Sequence, residues 1–200
     1  MYSKIKKGDI RSMRKVLQLL SVVVVGIAVA LMLISPELVL IFGSPKYREA
    51  VYVIPPVAAS VFFIFIYNIL SMPQFYYEKT QFLMAASMAA AGANVVLNFI
   101  FIRLFGYIAA GYTTLACYML YSVGHYIVSK RILVNEGIQE NLMSPGFLVA
   151  CSVFLIGASI ICNLIFPYRI LRYAILLASA GLVFWKKELL LKTMADIRKK

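Results

Sequence analysis

Apolar runs near or above the roughly 20 residues that a helix needs to cross about 30 Å of hydrocarbon recur along this chain, separated by short charged or turn-rich breaks. They are Val16 to Phe42, Val51 to Tyr77, Gln81 to Arg103, Tyr107 to Ser129, Pro145 to Phe166 and Leu171 to Trp185. Each is too long for a barrel strand, and a backbone in hydrocarbon must satisfy its own hydrogen bonds, so helices are expected. With 62% hydrophobic residues, the 200-residue chain carries more apolar surface than one soluble core of that size can bury. The expected fold is an all-α integral membrane protein with six transmembrane helices.

A net charge of +12 could suggest a nucleic-acid partner, but the basic residues stand at the ends of apolar runs, where membrane topology places them. Fifteen of them lie within 1–15, at Lys79, at Lys130 and Arg131, and after Trp185. The alternate connections hold five: Lys46, Arg48, Arg103, Arg169 and Arg172. That asymmetry puts both termini on the cytoplasmic side, as an even number of spans requires. No nucleic acid is expected. Residues 1–15 read as a basic cytoplasmic connector or interfacial helix beside anionic membrane lipids. After them come a four-helix part over 16–132, a cytoplasmic loop over 133–144, two additional transmembrane helices over 145–187 and a basic cytoplasmic tail over 188–200. The first apolar run starts too late and runs too long for a signal peptide, so it is read as a retained helix.

Within the spans, polar residues fall on faces. At about 100° per residue, Ser60, Tyr67, Ser71 and Gln74 share an arc of about 60°, with Asn68 to one side. Thr80, Ser87, Asn94 and Asn98 share another in the third span, opposite Phe82, Ala89, Ala93, Val96 and Ile100. Asparagine is costly against lipid, and AASMAAAGA offers small residues for close approach, so this span is expected to be buried among others. In the fourth span Thr114, Tyr118, Tyr121 and His125 form a third face. Three such faces can line one cavity. The candidate substrate-facing residues are Tyr67, Asn68, Gln74, Asn94, Asn98, Tyr118, Tyr121 and His125.

Neutral hydrogen-bonding groups and tyrosine rings suit the hydroxyls and apolar faces of sugars. The bland alternative is contact between helices: the serines can bond the preceding turn, and Asn94 with Asn98 is equally open to interhelical bonding or substrate contact. His125, the one histidine, reads as a hydrogen-bonded structural residue rather than a base or ligand. Pro36 is expected to loosen the outer third of the first span, and Glu37 reads as a hydrated or hydrogen-bonded interfacial acid. The last two spans read as peripheral and free of intramembrane charge. Cys117, Cys151 and Cys162 lie in apolar runs as small hydrophobes. With no carboxylate pair, Cys and His cluster or glycine-rich phosphate loop in the spans, no enzyme activity, metal or cofactor is expected.

Four motifs occur in a fixed order: FGSPKYREA before a proline-bearing helix, FYYEKT before the next, NVVLNFIFI ending at LFGYIAAGYTT, and a Tyr-rich helix closing with SKR. Over Phe42 to Arg131 this order and spacing resembles the C-terminal lobe of the polysaccharide flippases of O-antigen, capsule and exopolysaccharide pathways, within the multidrug and toxin extrusion-like superfamily. The resemblance implies a bacterial inner-membrane protein, one part of a two-lobed transporter whose N-terminal lobe lies elsewhere in a longer chain or in a partner chain. It implies alternating access to a lipid-linked glycan on an undecaprenyl-diphosphate carrier, with no covalent bond changed. The diphosphate would favour arginine or lysine; Arg103 stands at an outer end, so such cations are expected in the absent lobe. Competing readings are a non-transporting membrane subunit of a glycan-synthesis complex and a cation-coupled drug exporter of the same superfamily.

Overall fold

A computed structural model describes residues 10–185. The first residues of the basic connector and the whole 188–200 tail lie outside the described residues. Six α-helices follow in order: α1 (Ile10–Phe42), α2 (Ile54–Tyr76), α3 (Gln81–Phe105), α4 (Ala109–Asn135), α5 (Pro145–Ile165) and α6 (Arg169–Trp185), with a 3-10 helix (Pro45–Tyr52) between the first two. No strand occurs among the described residues.

Four helices, α1, α2, α3 and α5, are long and apolar enough to cross a membrane. α4 has 27 residues and sufficient length, but its threonines, tyrosines and His125 make it too polar to qualify by composition. α6 has 17 residues and is shorter than the others. The bundle's outer surface fits hydrocarbon: Ile27, Met88, Val95, Leu120 and Leu164 are each more than 60% exposed. Apolar surface this extensive marks a membrane protein.

α2 is the central helix, packing against α1, α4 and α5. Phe62, Ile66 and Leu70 on α2 join Leu17 and Met32 of α1 and Leu155 of α5 in one buried cluster. α3 departs from expectation. It leans chiefly on α4 and has no buried residue. Its polar face is turned to that one neighbour, and the rest of its circumference is left open. The same polar stripe would satisfy its hydrogen bonds in either setting, which is why burial among several helices was expected.

The helix ends sort into two groups. At one end Arg11 Nε donates to Glu140 at 2.6 Å, Arg14 Nε to the Asn141 carbonyl at 2.8 Å and Lys79 Nζ to Glu136 at 3.2 Å. At the other, the Tyr107 hydroxyl donates to Glu49 at 3.1 Å, and the Tyr52 and Phe166 rings lie 5.7 Å apart. Successive helices therefore alternate in direction, and the basic connections share one end. α1 begins at Ile10, inside the expected connector, and runs on without a break at residue 16. Ile10 and Met13 are buried there with Leu142 and Met143 of the 136–144 loop, so this loop is packed under the bundle.

Small residues set the approach of α4 to α2. A Cβ on Gly111 would stand 2.8 Å from Pro56 Cγ and 2.9 Å from the Val53 carbonyl oxygen. Backbone cannot yield as a side-chain tip can, so Gly111→Ala is expected to cost about 1–2 kcal/mol by overpacking. A lowered unfolding midpoint in detergent micelles checks this, and Gly157→Ala, with nothing within 4 Å of its added Cβ, is the unaffected control.

Candidate functional site

Three helices bring their polar faces to one cleft of about 450 Å³. α2 supplies Tyr67, α3 supplies Ser87 and Asn94, and α4 supplies Thr114, Tyr118 and Tyr121. The rings form a connected group: Tyr67 lies parallel to Tyr118 at 6.4 Å and tilted against Tyr121 at 4.6 Å. The Tyr121 hydroxyl and Ser87 Oγ are 2.6 Å apart and share a hydrogen bond. The cleft thus presents aromatic faces beside neutral donors and acceptors, and it has no charged side chain in its lining.

His125 and Gln74 close off the aromatic group below the cleft, both fully buried. Tyr121 meets the imidazole edge to face at 4.5 Å, Phe82 does so at 5.4 Å, and Tyr67 lies 5.8 Å away. The Gln74 amide nitrogen is 2.7 Å from His125 Nδ1. The Gln74 side-chain amide and the imidazole share this hydrogen bond. His125 Nε2, Gln74 Oε1 and Ser129 Oγ are buried without a partner. This places Gln74 and His125 in a buried polar joint between α2 and α4.

The asparagines divide. Asn94 lines the cleft and donates weakly to Thr114 Oγ1 at 3.5 Å. Asn98 donates to Asn94 Oδ1 at 2.9 Å and accepts from Thr113, so it ties α3 to α4. Asn68 is exposed, and its amide donates to the Ile64 carbonyl of its own helix at 2.7 Å. Of the eight candidates, Tyr67, Asn94, Tyr118 and Tyr121 share the cleft, Gln74 and His125 lie against its aromatic wall, Asn98 joins helices, and Asn68 stands apart.

A second polar cluster was not foreseen. Pro36 has no N–H, so the Met32 carbonyl loses its ordinary helical donor. Ser35 Oγ replaces it at 2.8 Å, and the helix continues through the proline to Phe42. The adjacent Leu33 carbonyl accepts from Arg172 Nη1 at 2.8 Å. The same guanidinium grips Glu37 with two bonds, of 2.8 and 2.9 Å, and the Tyr173 hydroxyl donates to Glu37 at 2.8 Å. Arg172 is only 3% exposed. The sixth helix begins at Arg169, which draws Arg172 from the expected connection into its first turn and places a buried charge where none was expected. The available signal was the presence of opposite charges near the same end of the first and last spans.

No family model, curated protein or solved structure matches the chain. What the fold and site define is a class: a helical membrane protein with an uncharged, tyrosine-walled cleft between three of its helices.

Proposed function

We propose that this chain is part of a flippase that moves an undecaprenyl-diphosphate-linked oligosaccharide across the bacterial inner membrane for polysaccharide biosynthesis. The observation that carries the reading is the cleft: Tyr67, Tyr118 and Tyr121 offer ring faces, while Ser87, Asn94 and Thr114 offer neutral hydrogen bonds, inside an otherwise apolar bundle. Sugars need both, because their C–H faces stack on rings and their hydroxyls exchange hydrogen bonds with uncharged groups. In this reading six helices span the membrane, α4 being polar because its polar face lines the passage, and both termini are cytoplasmic. A further set of helices, in a longer chain or a partner, completes the passage and supplies the cations for the diphosphate, and the two halves rock around the glycan.

Glu37 is the acid in the spans that a cation-coupled drug exporter would use, and its two bonds to Arg172 weigh against that reading. A non-transporting subunit of a glycan-synthesis complex would retain the bundle and have no use for the tyrosine rings. Deletion of the full gene is expected to accumulate undecaprenyl-linked glycan on the cytoplasmic face. The intact gene should restore export, whereas a Tyr67→Ala/Tyr121→Ala version present in the membrane at normal level should not. Full export by that double variant would remove the cleft from the proposal.

A further inference from the structure

We propose that the groove between α2, α4 and α5 binds one acyl chain of an anionic phospholipid, with the lipid phosphate held by Lys130 and the first turn of α5. The groove has a volume of about 340 Å³ and is walled by Phe62 and Ile66 of α2, Val123 and Tyr126 of α4, and Val149 and Val153 of α5. Two hydroxyls on its wall are already committed to carbonyls. Ser122 Oγ lies 2.9 Å from the Phe63 oxygen and 2.8 Å from that of Tyr118, and Ser152 Oγ donates to Leu148 at 2.7 Å. Water would find few partners there, and the surface offered to an occupant is hydrocarbon. Val123, Val149 and Val153 are each more than half exposed, so the groove opens on the apolar outer surface, where lipid chains lie.

The headgroup class follows from the charges at one end of the groove. It reaches Pro145, the first residue of a 21-residue helix whose Ser144 N-cap makes no side-chain hydrogen bond. The unsatisfied N–H groups and positive dipole end of such a turn favour an anion. Ser129 and Lys130 border a closed junction that shares Leu70 and Tyr126 with the groove and has no room for an occupant of its own, so the exposed Lys130 stands beside the groove. Ser129 Oγ is buried without a partner. Of the acids at this end, Glu140 is matched by Arg11 and Arg14 and Glu136 by Lys79, while Glu78 has no ion pair among the described residues. Lys130 and Arg131 are exposed and have no ion pair among the described residues. An apolar slot that ends at uncompensated positive charge and a free helix terminus is complementary to an acyl chain joined to an anionic phosphate. The site does not depend on whether the protein moves a glycolipid.

The test uses the full chain in vesicles of equal phosphatidylglycerol and phosphatidylethanolamine, extracted mildly and weighed with its bound lipids by native mass spectrometry. The wild type should retain phosphatidylglycerol over phosphatidylethanolamine by about fivefold, the preference expected from one basic residue at a membrane surface. Lys130→Glu/Arg131→Glu should abolish that preference, and Val123→Trp, which fills the groove, should remove retention of both lipids. Val149→Trp fills the groove from the opposite wall and serves if the first variant does not fold, as judged by its melting profile. Equal retention of the two lipids by the wild type would overturn the proposal. So would phosphatidylglycerol retention that survives the charge reversal or both groove-filling variants.

Discussion

Arg172→Leu is expected to destabilise the bundle by about 3–5 kcal/mol, because it leaves the Glu37 carboxylate without its charge partner and takes a donor from the Leu33 carbonyl. The guanidinium supplies two bonds to Glu37 and one to the Leu33 carbonyl. Leucine supplies none, and only Tyr173 remains on the acid. The test is a pair of unfolding curves in detergent micelles, single variant against Glu37→Leu/Arg172→Leu. Removing both charges together should recover most of the loss, since a buried ion pair offsets its own desolvation poorly and the penalty comes from stranding one member. A double variant as unstable as the single would assign the effect to lost packing. A single variant as stable as the wild type would show that the pair contributes nothing to holding α6 on α1.

The second large effect is expected at Gln74. Gln74→Leu removes the one hydrogen bond recorded for the imidazole of His125 and leaves both ring nitrogens buried and unpartnered. The cost should be about 1–3 kcal/mol, the desolvation penalty of a buried polar group. Adding His125→Phe fills the ring's place among Tyr67, Phe82 and Tyr121 with an apolar ring, and replacing both partners by apolar groups is close to neutral. The measurement is again the unfolding midpoint, with the double variant expected to lie between Gln74→Leu and wild type. If Gln74→Leu alone melts with the wild type, the joint does not support the cleft.

The membrane class was legible because it rests on run length and composition, which no tertiary contact can alter. The alternation of helix direction was also legible: basic residues mark one set of connections, and Arg11, Arg14 and Lys79 lie together at one end. Helical wheels brought Tyr67, Tyr118 and Tyr121 onto facing surfaces because each wheel needs only local spacing. They set Asn68 to one side of its stripe, and a wheel cannot show that its amide donates to the Ile64 carbonyl. They could not distinguish an asparagine facing a cavity from one facing a neighbour, and Asn98 bonds its neighbour. The Glu37–Arg172 pair escaped because its partners are 135 residues apart in sequence. The packing of Leu142 and Met143 escaped because two apolar residues in a polar loop carry no periodicity.

The fastenings at the two ends of the bundle belong to different electrostatic regimes. Arg11 is 83% exposed in its contact with Glu140, so mobile ions reach that pair and weaken it at physiological ionic strength. The Arg172 side chain is 4% exposed, which places its hold on Glu37 largely beyond the reach of salt. Rising ionic strength therefore loosens the end where α1 meets the α4–α5 loop and leaves the end where it meets α6 clamped. The bundle has a salt-responsive end and a salt-indifferent one.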